Sequence, residues 1–389
     1  MLQGCGVVYQ QSDETPFRRG GTFIIKNDID LNGGVLQMPE NVVLVTAGGI
    51  IQNGTLVGNN TKIIGRGTLF NRVSIKGKWL VPSINTSLFK DLSYENALRD
   101  VFALTSPDIY NRVVIEDGAY SVAASSGGAA LSFVSRTAIQ CEGNILLRPN
   151  AFAQCYVVLI KDCEKVSISG RGAIAGDKNE HLGASGEWGM GIHIVNSNNI
   201  ELSGISVNNC WGDCIYIGQD SKDISIRNCH IDQGRRQGIS ITSASNVSIF
   251  NCYIENVRGK MPGAAVDIEP NKSQRVENVR VDGIRVKNCE IGMQVLGSVE
   301  GASISNVSFK NCSVENVNSI PYSLSRAEDC SVVNCEAKSS TQRAIRANGI
   351  NNLILRGNRF SVASRDAIEI NKSERVSEGN NRIELLVDK

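Results

Sequence analysis

Apolar residues alternate with polar ones in short bursts along most of the chain. Ile192-His193-Ile194, Ile215-Tyr216-Ile217, Ile239-Ser240-Ile241, Val266-Asp267-Ile268, Met293-Gln294-Val295, Ile345-Arg346-Ala347 and Ile368-Glu369-Ile370 repeat one apolar-x-apolar figure. A second series follows after a short polar turn, as in Ile200-Glu201-Leu202, Ile224-Ser225-Ile226 and Val247-Ser248-Ile249. Alternation with period two predicts half-buried strands. The unit then closes on one phrase: Asp162-Cys163, Asn209-Cys210, Asn228-Cys229, Asn251-Cys252, Asn288-Cys289, Asn311-Cys312 and Asn334-Cys335. The cysteines are spaced 47, 19, 23, 37, 23 and 23 residues apart. We read 47 as two units, and 37 as one unit carrying an insertion.

Three short strands in about 23 residues cannot bury an inner face alone, whereas stacked units can. The pattern therefore predicts an all-β solenoid, a parallel β-helix. Asn suits a fixed turn because it tolerates the left-handed backbone and can stack as a hydrogen-bonded ladder. Cys beside it acts as a small hydrophobe, so free buried thiols are expected rather than disulfides.

These strands and turns resemble the right-handed parallel β-helix proteins of the pectate-lyase and polygalacturonase (glycoside hydrolase family 28-like) type. The resemblance covers residues 83–389. Residues 96–104 read as a short amphipathic helix, and Arg112-Val113-Val114-Ile115-Glu116-Asp117-Gly118-Ala119-Tyr120 follows. Together they resemble the capping helix and first strand-turn unit of such proteins. Residues 1–82 also alternate and are read as a smaller N-terminal β-rich region. Residues 382–387 are expected to form a last strand.

Composition narrows the functional classes. The chain has 389 residues, with 40 Lys plus Arg against 39 Asp plus Glu. A general nucleic-acid binder would carry a basic excess, so that class loses weight. No apolar run approaches a membrane span. Gly is abundant, at 38 residues, and aromatics make up 5%, which suits short strands and tight turns rather than a helical bundle. His181, His193 and His230 are not spaced for zinc, so no metal and no cofactor are expected. Met1 to Gly6 show no basic or apolar leader, and Leu2-Gln3-Gly4-Cys5 only loosely resembles a lipobox. A secreted, cell-surface or virion-associated protein is the expectation.

In a β-helix the inward residues make the core, so chemistry belongs to outward columns. One column reads His193, Tyr216, Ser240, Asp267, Gln294, Ser323, Arg346 and Glu369. Charge concentrates on three neighbouring coils. These carry Trp211-Gly212-Asp213, then Arg235-Arg236-Gln237, then Asp267-Ile268-Glu269. Glu187 and Trp188 lie in an upstream loop over the same face. Asp213 and Asp267 should lie roughly 9–10 Å apart, and Asp267 and Glu269 roughly 7 Å apart, by strand geometry. Inverting glycosidases hold two carboxyl groups about 6.5–9.5 Å apart. Asp213, Asp267 and Glu269 are therefore the candidate catalytic residues. Arg235 and Arg236 could hold an acidic sugar bidentately. Tyr216, Trp188 and Trp211 could stack on sugar rings, with His193, Glu187 and Gln237 beside them.

The resemblance carries over only in part. Gly212-Asp213-Cys214-Ile215 resembles the Asp-Asp-Cys-Ile segment of polygalacturonase-type hydrolases, with Asp213 at the second Asp and Gly212 replacing the first. Arg236-Gln237-Gly238-Ile239-Ser240-Ile241 resembles their Gly-His-Gly-Ile-Ser-Ile segment, with Gln237 replacing the His. Neither an Asn-Thr-Asp-Gly nor an Arg-Ile-Lys segment occurs. The expectation is a polysaccharide-active enzyme, a glycoside hydrolase acting on an acidic glycan with a rebuilt site. A uronic-acid lyase and a non-catalytic, tailspike-like binding scaffold, trimeric if virion-associated, are the alternatives.

Overall fold

His193 pairs with Tyr216, Tyr216 with Ser240, Ser240 with Asp267, and Asp267 with Gln294, each in parallel register one coil on. Gln294, Ser323, Arg346 and Glu369 continue the same column. The computed structural model describes residues 7–8, 17–94 and 97–386. Leu2-Gln3-Gly4-Cys5, Asn96 and Val387 lie outside the described residues.

Successive coils build a 20-stranded parallel sheet that turns a corner, and an 11-stranded sheet closes the other side. The inward residues Ile192, Ile215, Ile239, Val266, Met293, Tyr322 and Ile345 have no exposed surface. Each such side chain contributes about 1.5–3 kcal/mol by leaving water. One core runs from Phe17 to Ala367.

The Asn-Cys phrase does not mark one turn, as the sequence suggested. Pairing puts Asn228, Asn251, Asn311 and Asn334 in one column, with Gly204, Gly283 and Gly357 filling the same turn in other coils. Asn209 and Asn288 belong to a second column, one strand further on. Asp162 lies at a third turn, beside Asn196. The irregular spacings arose from mixing these columns. The enlarged coils are visible instead in the ladder Asp223–Asn246–Asn278–Asn306, whose members lie 23, 32 and 28 residues apart. All these turns need a left-handed residue, and Asn228, Asn251, Asn311 and Asn334 have φ of 53°, 50°, 52° and 52°. Amide ladders do form, at Asn246–Asn278–Asn306 and at Asn256–Asn288–Asn316. The eleven described cysteines are free and buried, as expected.

The helix spans Ala97–Phe102. It is wedged between the strand Phe70–Trp79 and the first coils. Asp100 accepts the Ile75 N–H at 2.8 Å and the Tyr94 hydroxyl at 3.0 Å, and Arg99 donates to the Ala130 carbonyl at 2.8 Å. The strands before it stack in parallel too. Ile51–Ile64 pairs with Phe70–Trp79, and Ser83–Asn85 pairs with Asn111–Ile115. Leu44, Leu56, Phe70 and Trp79 join the common core. The helix is therefore covered on its outer side, not the outermost cap. No helix among the described residues is long and apolar enough to cross a membrane.

Candidate functional site

The strand Ala264–Ile268 carries Asp267 outward between two flanking coils. Asp267 is only 1% exposed. Its Oδ2 accepts from Gln237 Nε2 at 2.7 Å, and its Oδ1 accepts from Gln294 Nε2 at 2.9 Å. Gln237 is itself buried and accepts the Ala264 N–H at 2.8 Å through Oε1. Burial pushes the Asp267 carboxyl up to about 8; Glu269 adds to the rise, while Gln294 opposes it. An acid in this state keeps its proton at neutral pH.

Asp267 and Glu269 line a cleft of about 390 Å³ on the outer face. Arg236, Tyr216, His193 and Trp188 line it as well. Gln154, Tyr156, Met190, Gln219, Ser240, Thr242 and Asn271 complete the wall. Sequence reading did not place Gln154 and Tyr156 in the site. The column started at His193, although it extends one coil back, where Tyr156 pairs with Met190 and Leu159 with His193. Period-two alternation breaks down in Cys155-Tyr156-Val157-Val158, which hid that coil.

The aromatic side chains form a stack. His193 lies 4.1 Å from the Tyr156 ring and 4.7 Å from the Tyr216 ring, centroid to centroid. Burial lowers its pKa to about 4, so the ring is neutral at pH 7. Its Nδ1 faces Met190 Sδ at 2.9 Å, and Tyr216 is hydrogen-bonded to Thr242 at 2.8 Å. Trp188 stands free at the rim, 51% exposed.

Asp213 is fully buried and does not reach the cleft wall. Arg236 Nη1 covers it, at 3.1 and 3.3 Å from its two oxygens. Burial pushes Asp213 up to about 7, with Arg236 pulling the other way. The Nε of Arg236 faces Glu187 at 3.5 Å, and Lys260 holds Glu187 at 3.1 Å. Gly212, where the related pattern has an acid, lets this loop descend: a Cβ there would stand 2.3 Å from the Glu187 carbonyl.

Arg235 and Trp211 serve that loop, not the cleft wall. The Arg235 guanidinium lies 3.7 Å over the Trp211 ring and donates to the Gly186 and Trp211 carbonyls at 2.9 and 3.3 Å. On its other side Trp211 stacks on His181 at 4.0 Å, and His181 Nδ1 contacts Asp177 at 2.9 Å. Both arginines expected to clamp an acidic sugar are thus already engaged, because the loop brings carbonyls and carboxylates onto them. Among the described residues no group of three or more His, Cys, Asp or Glu is placed to hold a metal ion.

Comparison with known proteins agrees with this architecture. A family model described as "Right handed beta helix region" matches residues 113–274. The uncharacterized protein YclG of Bacillus subtilis is 27% identical over 219 residues, which is 49% of this chain and 37% of that protein. The chain thus spans well under half the length of this curated relative. A hyperthermoactive exopolygalacturonase from Thermotoga maritima shares the fold, with a TM-score of 0.55, 13% identity and coverage of 78% of this chain and 91% of that one. The A-module of the Azotobacter vinelandii mannuronan C-5 epimerase AlgE4 gives 0.51 and 11%, covering 78% and 97%. In register, core and likeness, the chain has the fold of a right-handed parallel β-helix.

Proposed function

We propose that the chain is a polysaccharide-active protein that hydrolyses a glycan lying in the cleft. One observation carries the reading. Asp267, whose carboxyl burial pushes up to about 8, and a second carboxyl just past the end of its strand, Glu269, line the same cleft. In this reading Asp267 protonates the leaving oxygen, and Glu269 activates water or stabilises the developing positive charge. Trp188 and the edge of the Tyr156–His193–Tyr216 stack bind sugar rings. Asp213, out of reach of the cleft, orients Arg236. The guanidinium in the cleft wall already faces Asp213 and Glu187, so the reading moves from an acidic glycan to one with few uronates. The fold shared with an exopolygalacturonase supports the polysaccharide class, not a particular sugar.

A second reading is binding without cleavage. It is favoured by the two amide donors that already occupy both oxygens of Asp267. A panel of neutral and acidic polysaccharides separates the two, read by reducing ends and by the ultraviolet absorbance of unsaturated products. New reducing ends without that absorbance, lost in Asp267→Asn, support hydrolysis. The absorbance itself points to elimination. Retention of a glycan without cleavage supports the second reading.

A further inference from the structure

The 11-stranded sheet, which does not carry the cleft, has outward columns of its own. Ile254, Val286 and Val314 point into the core. Tyr253 and Glu255, Arg285 and Lys287, and Ser313 and Glu315 therefore face outward on three successive coils. These coils line a hollow of about 630 Å³, against about 390 Å³ for the cleft. Two small residues open it. Gly283 stands in the turn column where other coils carry Asn251, Asn311 and Asn334, and Ser313 follows Arg285 in the outward column. One wall is preformed. The His230 ring lies 5.3 Å from the Tyr253 ring with the planes 10° apart. Glu255 holds both rings, contacting His230 Nε2 at 3.0 Å and accepting the Tyr253 hydroxyl at 2.9 Å. His230 lies one coil before Tyr253 and Arg285 one coil after, so the second face of Tyr253 looks toward Arg285. Among the described residues no ring or cation covers that face.

We propose that this hollow is a second binding site, separate from the cleft, for an acidic sugar unit, a hexuronate. Its side chains divide the work. Arg285 and Lys287 stand roughly 7 Å apart along one strand. Neither side chain has an ion-pair or hydrogen-bond partner among the described residues. Arg235 and Arg236 beside the cleft differ, since loop carbonyls and carboxylates already engage them. A guanidinium without such partners takes a carboxylate through two parallel hydrogen bonds. The open face of Tyr253 receives the apolar face of a sugar ring. Glu315 pairs in register with Lys287 and lines the hollow too. Its carboxylate accepts hydroxyl groups and repels a bare anion. Inorganic phosphate therefore brings Glu315 nothing but repulsion, whereas a carboxylated sugar gives one charge to Arg285 and hydroxyls to Glu315. The site makes no use of Asp267 or Glu269, so it stands whether or not the cleft cleaves a glycan.

The test is calorimetric titration of the full chain with trigalacturonate and trimannuronate at low ionic strength. Binding of at least one of them is expected. It should weaken about tenfold or more in Arg285→Ala, and by a similar factor for the carboxyl-reduced trisaccharide, since a charge-assisted pair is lost in both cases. Trp188→Ala, at the cleft rim, should leave it unchanged. Gly283, at φ 69°, takes the left-handed turn that Asn occupies in other coils. Gly283→Asn should therefore keep the turn, fill the hollow and weaken binding, with Asn251 Oδ1, 2.6 Å from the new Cβ, giving way. No binding of either uronate overturns the proposal. So does loss in Trp188→Ala with retention in Arg285→Ala, which would put the sugar in the cleft. Displacement by equimolar inorganic phosphate also overturns it, because the hollow would then be a general anion patch.

Discussion

Gln237 reaches from one coil to the next and donates to Asp267 over 2.7 Å, while its own carbonyl accepts the Ala264 N–H over 2.8 Å. One buried amide thus ties the cleft acid to the backbone of the strand that carries it. The polygalacturonase-type pattern has a histidine at this position, and the substitution changes the chemistry. A glutamine cannot carry a proton, so Asp267 has no titrating partner there.

If Asp267 is the acid, Asp267→Asn should lower turnover by about 10²–10⁴-fold with little change in KM. Steady-state kinetics on the cleaved glycan checks this. In the wild type, the rate should fall as pH rises through about 8, where Asp267 loses its proton.

The same shift acts on stability. Asp267 binds its proton more tightly folded than unfolded, where an aspartate titrates near its ordinary value of about 3.9. Its contribution is therefore fully present below about pH 4 and is lost as pH rises to about 8. Asp213, raised to about 7, acts in the same direction. Denaturant midpoints across this window should decline more steeply in the wild type than in Asp267→Asn.

Gln237→Leu should destabilise the fold by about 1–3 kcal/mol, because the Ala264 N–H loses its buried acceptor and Asp267 one of its donors. Chemical unfolding measures it. Gln294→Leu removes only the donor on the other oxygen and should cost less.

The turn columns make a prediction independent of function. Asn228 sits at φ 53°, in a column where other coils carry Gly204, Gly283 and Gly357. Asn228→Gly should be nearly neutral in thermal unfolding. Asn228→Val should cost about 1–2 kcal/mol or more, since a β-branched residue resists the left-handed backbone.

The sequence by itself determined the coil and the outward column, because period-two alternation assigns each residue to one face and parallel stacking then aligns equivalent residues. His193, Tyr216, Ser240 and Asp267 fall in register for that reason alone. The turn residues were legible as a type but not as a position. Any of three corners can take a left-handed Asn, so Asn209 and Asn228 looked alike while standing at different turns. Only the tertiary structure decided what Asp213, Arg235 and Arg236 face. Their partners come from loops, Glu187, Gly186 and Lys260, that follow no repeat. Asp213 and Asp267 are equally buried, and it is the position of such a loop, not burial or residue type, that leaves Asp267 and Glu269 on the cleft wall and Asp213 off it.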